Sequence, residues 1–185
     1  MMKNAVLEAI HSRRSTRNFR PDQVEEETLT AILEAGNWAP SAGNDQPWHF
    51  LVVQQRALRE RMNRIAKEAM AFSPLAWAVQ KGQDPAFDIF YGAPTVVVVS
   101  CREGAMSPRV DCAAAIQNML LAAESLQVGT CWVGLARGFF AREEEVRALP
   151  LPPGYVPFYA VALGYRQGAA PEGPERKAPP VIYLR

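Results

Sequence analysis

The sequence predicts one globular domain, residues 1–185, in which helices cover both faces of a β-sheet. Hydrophobic residues make up 49% of the chain and charged residues 21%, a balance that allows one substantial core. The run TVVVVSC, Thr95 to Cys101, is apolar without a break, which is typical of a strand buried in the middle of a parallel sheet. The segment Pro108 to Val128 predicts a long helix that is apolar nearly all round. Such a helix is buried on more than one side, and we expect another subunit to cover the second side.

The first half of the chain alternates helices with one strand. Met2 to Ser12 predicts a short amphipathic helix, and a second helix opens at Pro21-Asp22, carries three glutamates in its first turn and ends at Gly36. A loop rich in turn-forming residues, NWAPSAGNDQP, follows it. The β-branched and aromatic stretch Trp48 to Gln54 predicts a strand, and Arg56 to about Ala71 a basic helix.

The second half is dominated by short buried strands. No regular period is visible from Phe72 to Pro94. After the long helix, Gly129 to Gly134 predicts a short strand, Arg142 to Leu149 a charged helix and Pro157 to Tyr165 a last core strand. The tail, residues 166–185, is rich in Pro and Gly, but its end, VIYLR, alternates apolar residues. We therefore expect the tail to dock on another surface.

Net charge and cysteine content narrow the class of protein. The chain carries 20 Lys+Arg against 19 Asp+Glu, a net charge of +1, so no general field attracts nucleic acid or an anionic membrane. No apolar stretch is long enough for a bilayer span, and we expect a soluble, cytoplasmic protein. The three cysteines are odd in number and show no C-x-x-C spacing, which predicts buried thiols in a reducing compartment.

The segment HSRRSTRNF concentrates positive charge near the start of this neutral chain. If it is extended, Arg13, Ser15 and Arg17 share one face and Arg14 the other. Two guanidinium groups and a hydroxyl on one face suit a terminal phosphate, since each guanidinium donates pairs of charge-assisted hydrogen bonds. A solvated basic patch that complements the dipole at the C-terminus of the first helix explains the same residues equally well. A small nucleic-acid-binding protein is a third, weaker alternative, because no basic stripe continues the cluster.

The remaining motifs exclude several classes of active site, and none of them alone establishes a function. The loop PSAGNDQPW could present amides to a planar heterocycle, and Gly134 could expose backbone N–H groups, but both are also ordinary connections. Signatures for Rossmann, P-loop, zinc-protease and hydrolase-elbow sites are missing from the sequence. His11 and His49 have no metal-ligand spacing, so we expect no metal. We also find no nucleophile–base pair, and we therefore expect no catalytic side chain: in an enzyme, a cofactor would carry the reaction.

Five motifs taken in order resemble the nitroreductase family of FMN-dependent oxidoreductases. They are RRSTRNF, APSAGNDQPWHF, APTVVVV, the helix-and-strand stretch DCAAAIQNMLLAAESLQVGTCWVG and the late basic pair in GPERKAPP. The resemblance runs from about Ile10 to Lys177 and is weakest between Arg56 and Tyr91. It implies an α+β, three-layer fold with a mostly antiparallel central sheet flanked by helices, in place of a parallel sheet. It also implies an intertwined homodimer built on the long helix, with two FMN sites at the subunit interface.

The resemblance assigns the cofactor-binding residues in three groups. Arg13, Arg14, Ser15 and Arg17 would hold the phosphate and ribityl chain of FMN, with Arg176 or Lys177 closing on the phosphate from the tail. Pro40, Ser41 and Asn44 would come from the partner subunit to line the flavin, with Gln46 close by. Gly134 and Leu135 would present backbone N–H groups to the flavin N5 side. Arg17, near the pyrimidine end of the flavin, would also raise its reduction potential.

The implied reaction is hydride transfer from NADH or NADPH to flavin N5 and on to a small acceptor such as a nitroaromatic, quinone or enone, in a ping-pong sequence. A specialised family member with a dedicated substrate, or a non-catalytic flavin-binding sensor, are the alternatives. Residues of the variable segment 72–94 could form an aromatic lid or belong to the local core: Phe72, Trp77, Phe87, Phe90 and Tyr91. The sequence does not identify the acceptor, the preferred nicotinamide cofactor, or which of Arg176 and Lys177 contacts the phosphate.

Overall fold

The computed structural model of the protein describes residues 4–185 and contains a four-stranded sheet between two layers of helices. Its helices are α1 Ala5–Ser12, α2 Glu26–Asn37, α3 Arg56–Met70, α4 Ala76–Gln83, α5 Pro108–Ser125, α6 Arg137–Phe140 and α7 Glu143–Arg147. Its strands are β1 Trp48–Val53, β2 Thr95–Arg102, β3 Gly129–Val133 and β4 Tyr155–Gly164. A 3₁₀ turn, Ala42–Asn44, lies in the loop before β1.

All strand pairs in the sheet are antiparallel, in the order β1-β2-β4-β3. The parallel arrangement that the apolar run of β2 favours by itself is therefore wrong, and the antiparallel sheet implied by the family resemblance is present. Burial of β2 is as expected, since Val96 to Val99 have no solvent exposure. An unbroken apolar run indicates that both faces of a strand are covered, but it does not indicate whether the neighbouring strands are parallel or antiparallel.

The two faces of β2 belong to two separate cores, which makes the fold three-layered. Val96 and Val98 pack with buried residues of α3, α4 and α6. Val97 and Val99 point the opposite way and pack with buried residues of α2 and α5. Alternation along one strand thus connects both helical layers to the sheet.

The long helix α5 is the main element of the second core. It begins with Pro108 at its first turn and buries residues along most of its length. The helix ends at Ser125, three residues before the predicted end at Val128. Gln127 takes a left-handed conformation with φ 60°, and Val128 N donates to Ala123 O over 2.8 Å. This turn closes the helix and starts β3 at Gly129.

Several predicted boundaries differ from the structure. Residue 2, the predicted start of the first helix, lies outside the described residues. The second helix begins at Glu26 rather than at Pro21-Asp22, because Pro21 to Glu25 connect as an irregular segment. The short helices α4 and α6 were not predicted. Lys67 helps to fix the end of α4, donating to the backbone oxygens of Asp84 (2.6 Å) and Phe87 (2.9 Å).

The described residues also bear on membranes, thiols and metal ions. Within residues 4–185, no helix combines the length and apolar character needed to cross a bilayer. The three cysteines are free thiols, and all three are buried. The described part of the chain also contains no cluster of His, Cys, Asp or Glu able to hold a metal ion.

We predict that Val98→Ala lowers the free energy of unfolding by about 2 kcal/mol, because two methyl groups leave a fully buried site that relaxes only in part. The matched control is Val156→Ala on β4, whose side chain is 40% exposed and whose truncation should cost less than about 1 kcal/mol. Urea unfolding followed by circular dichroism measures both. Equal losses in the two variants would contradict the central position of β2.

Candidate functional site

The arginine-rich segment runs along the outer edge of the sheet. Ser15 forms a parallel bridge with Thr130 of β3, and the amide of Thr16 donates to the backbone oxygen of Thr130 over 2.8 Å. Further along, Phe19 bridges to Arg166, just after β4. The segment is therefore extended, and the sheet fixes its direction.

The arginines of this segment have different surroundings. Burial raises the pKa of the Cys131 thiol, and the nearby positive charges of Arg17 and Arg13 partly offset that rise. Arg14 points elsewhere: its Nη1 donates to the backbone oxygen of His11 over 2.6 Å, at the end of α1. Arg13 and Arg17 therefore lie close enough to Cys131 of β3 to influence it, whereas Arg14 binds the end of α1; the period-2 arrangement of the three side chains stays a prediction. Arg14 also fills the alternative role, because it satisfies a carbonyl at a helix C-terminus.

The guanidinium groups of this segment have no acidic partner. Among residues 4–185, no carboxylate forms a salt bridge with Arg13, Arg14 or Arg17. Arg14 Nε is buried without a hydrogen-bond partner. The Arg17 guanidinium lies over the Tyr91 ring, 5.8 Å from its centroid. Unpaired cations beside Ser15 and a cavity of about 350 Å³ fit a phosphate group.

A buried ion pair supports this segment from behind. Arg166 forms a salt bridge with Glu124 near the end of α5, and its Nε donates to Thr16 Oγ1 over 3.1 Å. Thr16 is packed so tightly that a Cβ at Gly129 would lie 2.6 Å from its hydroxyl oxygen. Helix α5 and strand β4 therefore hold the backbone on which the arginines stand.

The loop Pro40 to Gln46 lies near the other end of α5. The amide of Ala42 is 3.3 Å from both carboxylate oxygens of buried Asp111, in the first turn of α5. Ser41 Oγ accepts from the amide of Gln46 over 3.0 Å, which ties the two ends of the loop together. Asp45 forms a salt bridge with Arg102. Asn44 is exposed and takes φ 58°, so its amide projects from a constrained turn.

The arginine segment and the loop Pro40 to Gln46 thus form two separate groups within one chain. Asp111 and Glu124, which anchor them, are thirteen residues apart on one helix, or about 20 Å. Arg176 and Lys177 are exposed in the tail. The tail passes close to the first group, because a Cβ at Gly173 would overlap the Arg14 guanidinium.

Gly134 and Leu135 directly follow β3 and lie in a third place. They line a cavity of about 400 Å³ together with Leu75, Trp77 and Arg137. Of the five aromatic residues predicted for a lid, only Phe72 and Trp77 are exposed. The others belong to the local core: Phe90 is buried, and Phe87 and Tyr91 pack against it.

Comparison with known proteins identifies the family of this chain. The sequence model of the Nitroreductase family matches residues 10–165. The chain belongs to the nitroreductase family. A relative from Archaeoglobus fulgidus, provisionally named an NADH dehydrogenase/NAD(P)H nitroreductase, is 34% identical over 163 residues, covering 86% of this chain and 84% of the relative.

Solved nitroreductase structures have the same fold. A nitroreductase with bound FMN from Bacteroides fragilis aligns with a TM-score of 0.87 and 33% identity, over 99% of this chain and 100% of that chain. A nitroreductase with bound FMN from Desulfitobacterium hafniense aligns with a TM-score of 0.84 and 31% identity, over 94% and 96% of the two chains. The α+β, nitroreductase-like fold expected from the resemblance is confirmed.

Sequence reasoning missed the residues that support this nitroreductase site. None of these supporting residues was predicted to bind the cofactor. They hold the site through hydrogen bonds and an ion pair between distant parts of the chain: Thr16, Asp111, Glu124 and Arg166. Asp111 alone gave a signal, since an acidic residue in the first turn of an apolar helix stands out. Arg137 gave none, because one arginine in a short helix resembles any exposed cation.

We predict that Arg166→Met lowers the free energy of unfolding by about 3 kcal/mol, because it leaves the Glu124 carboxylate buried without its partner. The matched control is Arg147→Met, which removes a pair with Glu143 whose two side chains are 79% and 84% exposed. Its expected cost is about 0.5 kcal/mol or less. Urea unfolding at low and high salt measures both variants. Similar costs for the two would show that Arg166 does not support the segment.

Proposed function

We propose that the protein is an FMN-dependent oxidoreductase that takes hydride from NADH or NADPH and passes it to a small acceptor such as a nitroaromatic, quinone or enone. Membership of the nitroreductase family supports this, as do the two similar nitroreductases described with bound FMN. The observation that carries the proposal is the set of guanidinium groups without acidic partners beside Ser15 at the edge of β3.

The phosphate of FMN would lie against the face that carries Arg13, Ser15 and Arg17. Planar guanidinium groups donate paired hydrogen bonds to phosphate oxygens, and the Ser15 hydroxyl donates one more. A phosphate dianion at this face would balance the positive charge of these arginines, which have no carboxylate partner in the described chain. Arg176 or Lys177 would close on the phosphate from the tail, which passes beside Arg14 at Gly173.

The flavin ring would lie between two subunits. In one chain the loop Pro40 to Gln46 contacts Asp111, and the arginine segment is linked through Arg166 to Glu124, about 20 Å further along α5. In a two-fold dimer with paired α5 helices, this loop of one subunit meets the arginines of the other. Pro40, Ser41, Asn44 and Gln46 would then line the flavin from the partner subunit. The solvent-facing side of α5, with Val110 71% exposed, supports this packing.

The acceptor and the nicotinamide would use the cavity beside Gly134 and Leu135 in turn. FMN, when bound, supplies the hydride transfer. The protein contributes backbone N–H groups at Gly134 and Leu135 and apolar walls that include Leu75 and Trp77. Arg137 is the one charged side chain in this lining, so it offers no general base. This composition suits a planar aromatic acceptor.

Anaerobic titration with a nicotinamide cofactor tests the function. Purified protein should be yellow, bleach when NADH or NADPH is added, and turn over when a nitroaromatic or quinone follows. Bleaching without turnover on a broad acceptor panel would favour a specialised enzyme or a sensor. Colourless protein that fails to bind added FMN would contradict the proposal.

We also propose that the protein works in the cytoplasm, because its three cysteines are free, buried thiols and such thiols suit a reducing compartment.

We predict that Arg13→Gln and Arg17→Gln each raise the Kd for FMN about 10- to 100-fold, since each loses a charge-assisted hydrogen bond worth about 1.5–3 kcal/mol. Flavin fluorescence quenching measures the affinity. Arg17→Gln should also lower the flavin reduction potential, because a cation near the pyrimidine end stabilises the anionic reduced form.

The control variant for this measurement is Arg20→Gln. Arg20 is three residues further along the same segment, but it already pairs with Asp22 at 2.9 Å. Its Kd for FMN should stay within about twofold of the parent value. The phosphate assignment is wrong if all three variants bind FMN equally well.

We predict that Leu184→Asp increases the dimer dissociation constant at least about tenfold. The end of the tail exposes Ile182 and Leu184 almost fully, and β1 pairs only with β2 in the described chain, leaving a strand edge free. Docking of the tail on the partner subunit would cover these apolar side chains and the free strand edge together. Sedimentation equilibrium measures the constant. Ala57→Asp adds the same charge at an exposed residue in the first turn of α3, away from the tail; it is the control and should leave the constant unchanged.

A further inference from the structure

The cavity beside Gly134 and Leu135 has one charged side chain in its lining, that of Arg137. The other described residues that line it are apolar or uncharged, and they include Leu75 and Trp77. Within residues 4–185, no carboxylate forms a salt bridge with Arg137. Arg137 is also exposed, so its charge is available to a molecule that enters the cavity.

The ring of Tyr159 contacts both Arg137 and Gly134. The guanidinium carbon of Arg137 lies 5.6 Å from the centroid of this ring, which is a cation–π contact. A Cβ at Gly134 would lie 3.7 Å from Cε1 of the same ring. Trp132 packs edge-to-face against Tyr159, with the ring centroids 5.5 Å apart. This aromatic packing keeps the charge of Arg137 close to Gly134, where the acceptor would lie.

Arg137 also lines a second cavity, of about 400 Å³, and among the described residues it is the one residue common to both linings. The lining of this second cavity includes Arg102, Arg109 and Glu103. Arg102 already forms a salt bridge with Asp45, whereas no carboxylate of the described chain pairs with Arg109. The surroundings of Arg137 therefore carry an excess of positive charge, which attracts small anions.

We propose that the preferred acceptor is a planar aromatic molecule that carries a carboxylate, and that Arg137 binds this carboxylate. Leu75 and Trp77 would contact the aromatic body, and the guanidinium would donate paired hydrogen bonds to the two carboxylate oxygens. An unpaired cation in an otherwise uncharged lining carries the assignment. It rests on the proposed function, because it names the substrate class of the same cavity.

The phosphates of NADH and NADPH are a second source of negative charge at this cavity, because the nicotinamide and the acceptor would use it in turn. A ping-pong enzyme separates the two ligands, since each substrate has its own kcat/KM. The carboxylate assignment requires that Arg137 affects the acceptor.

Two nitroaromatic acceptors of nearly equal size test the assignment on the purified holoprotein: para-nitrobenzoate, which is ionised at neutral pH, and para-nitrobenzamide, which is neutral. Arg137→Gln should lower the ratio of kcat/KM for the carboxylate to kcat/KM for the amide about tenfold, because it loses charge-assisted hydrogen bonds. The two acceptors differ in intrinsic reactivity, and comparing variants cancels that difference. High salt should lower the ratio in the parent enzyme, since the guanidinium is exposed.

Two further variants separate charge recognition from structural damage. Arg137→Glu should favour a cationic acceptor, para-nitrobenzylamine, over para-nitrobenzoate, a reversal that a merely structural role would not produce. The matched control is Arg142→Gln, which removes an exposed arginine that lines neither cavity. Its ratio of kcat/KM values should stay within about twofold of the parent ratio.

Isothermal titration calorimetry provides a measurement that does not depend on turnover. The oxidised protein should bind para-nitrobenzoate more tightly than para-nitrobenzamide, and Arg137→Gln should remove most of this difference in Kd. Arg142→Gln should keep the difference.

Three results would overturn the assignment. The first is an unchanged ratio in Arg137→Gln, in an enzyme that reduces both acceptors. The second is a loss of kcat/KM for NADH or NADPH alone, which would assign Arg137 to the phosphates of the nicotinamide cofactor. The third is equal binding of the two nitroaromatics in calorimetry. Failure of the proposed function gives a different result, because protein that binds no FMN reduces neither acceptor.

Discussion

Helix α5 fixes the geometry of both parts of the site, because each of its ends carries a buried carboxylate that holds one part. Asp111, in the first turn, faces the Ala42 amide of the loop. Glu124, in the last turn, binds Arg166, which in turn donates to Thr16 in the arginine segment. Asp111 also lies at the favourable end of the helix dipole, whereas Glu124 lies at the unfavourable end and depends on Arg166. A rigid helix therefore sets the distance between the two anchoring carboxylates within one chain, and in the proposed dimer a second subunit would bring the two parts together.

The local character of the positive charge follows from this arrangement. The chain as a whole is close to neutral, with a net charge of +1. Several of its surface arginines form salt bridges with glutamates one helical turn away. Arg13 and Arg17 lie where the backbone is held by Thr16 and β3, and no carboxylate of the described chain reaches them. Like charges held close together cost free energy unless an anion joins them. The unpaired cations of this segment are therefore the local feature on which the proposed binding of a compact dianion rests.

Sequence reasoning predicted the elements that local pattern determines. The four strands, the long helix and the extended arginine segment follow from apolar runs, alternation and charge, and each lies within a few residues of its predicted range. Strand direction did not follow, since Val96 to Val99 would be equally apolar in a parallel sheet. Helix α4 was missed because it is short and only one of its residues, Ala78, is buried. Its position depends on Lys67, which binds carbonyl groups about 20 residues away.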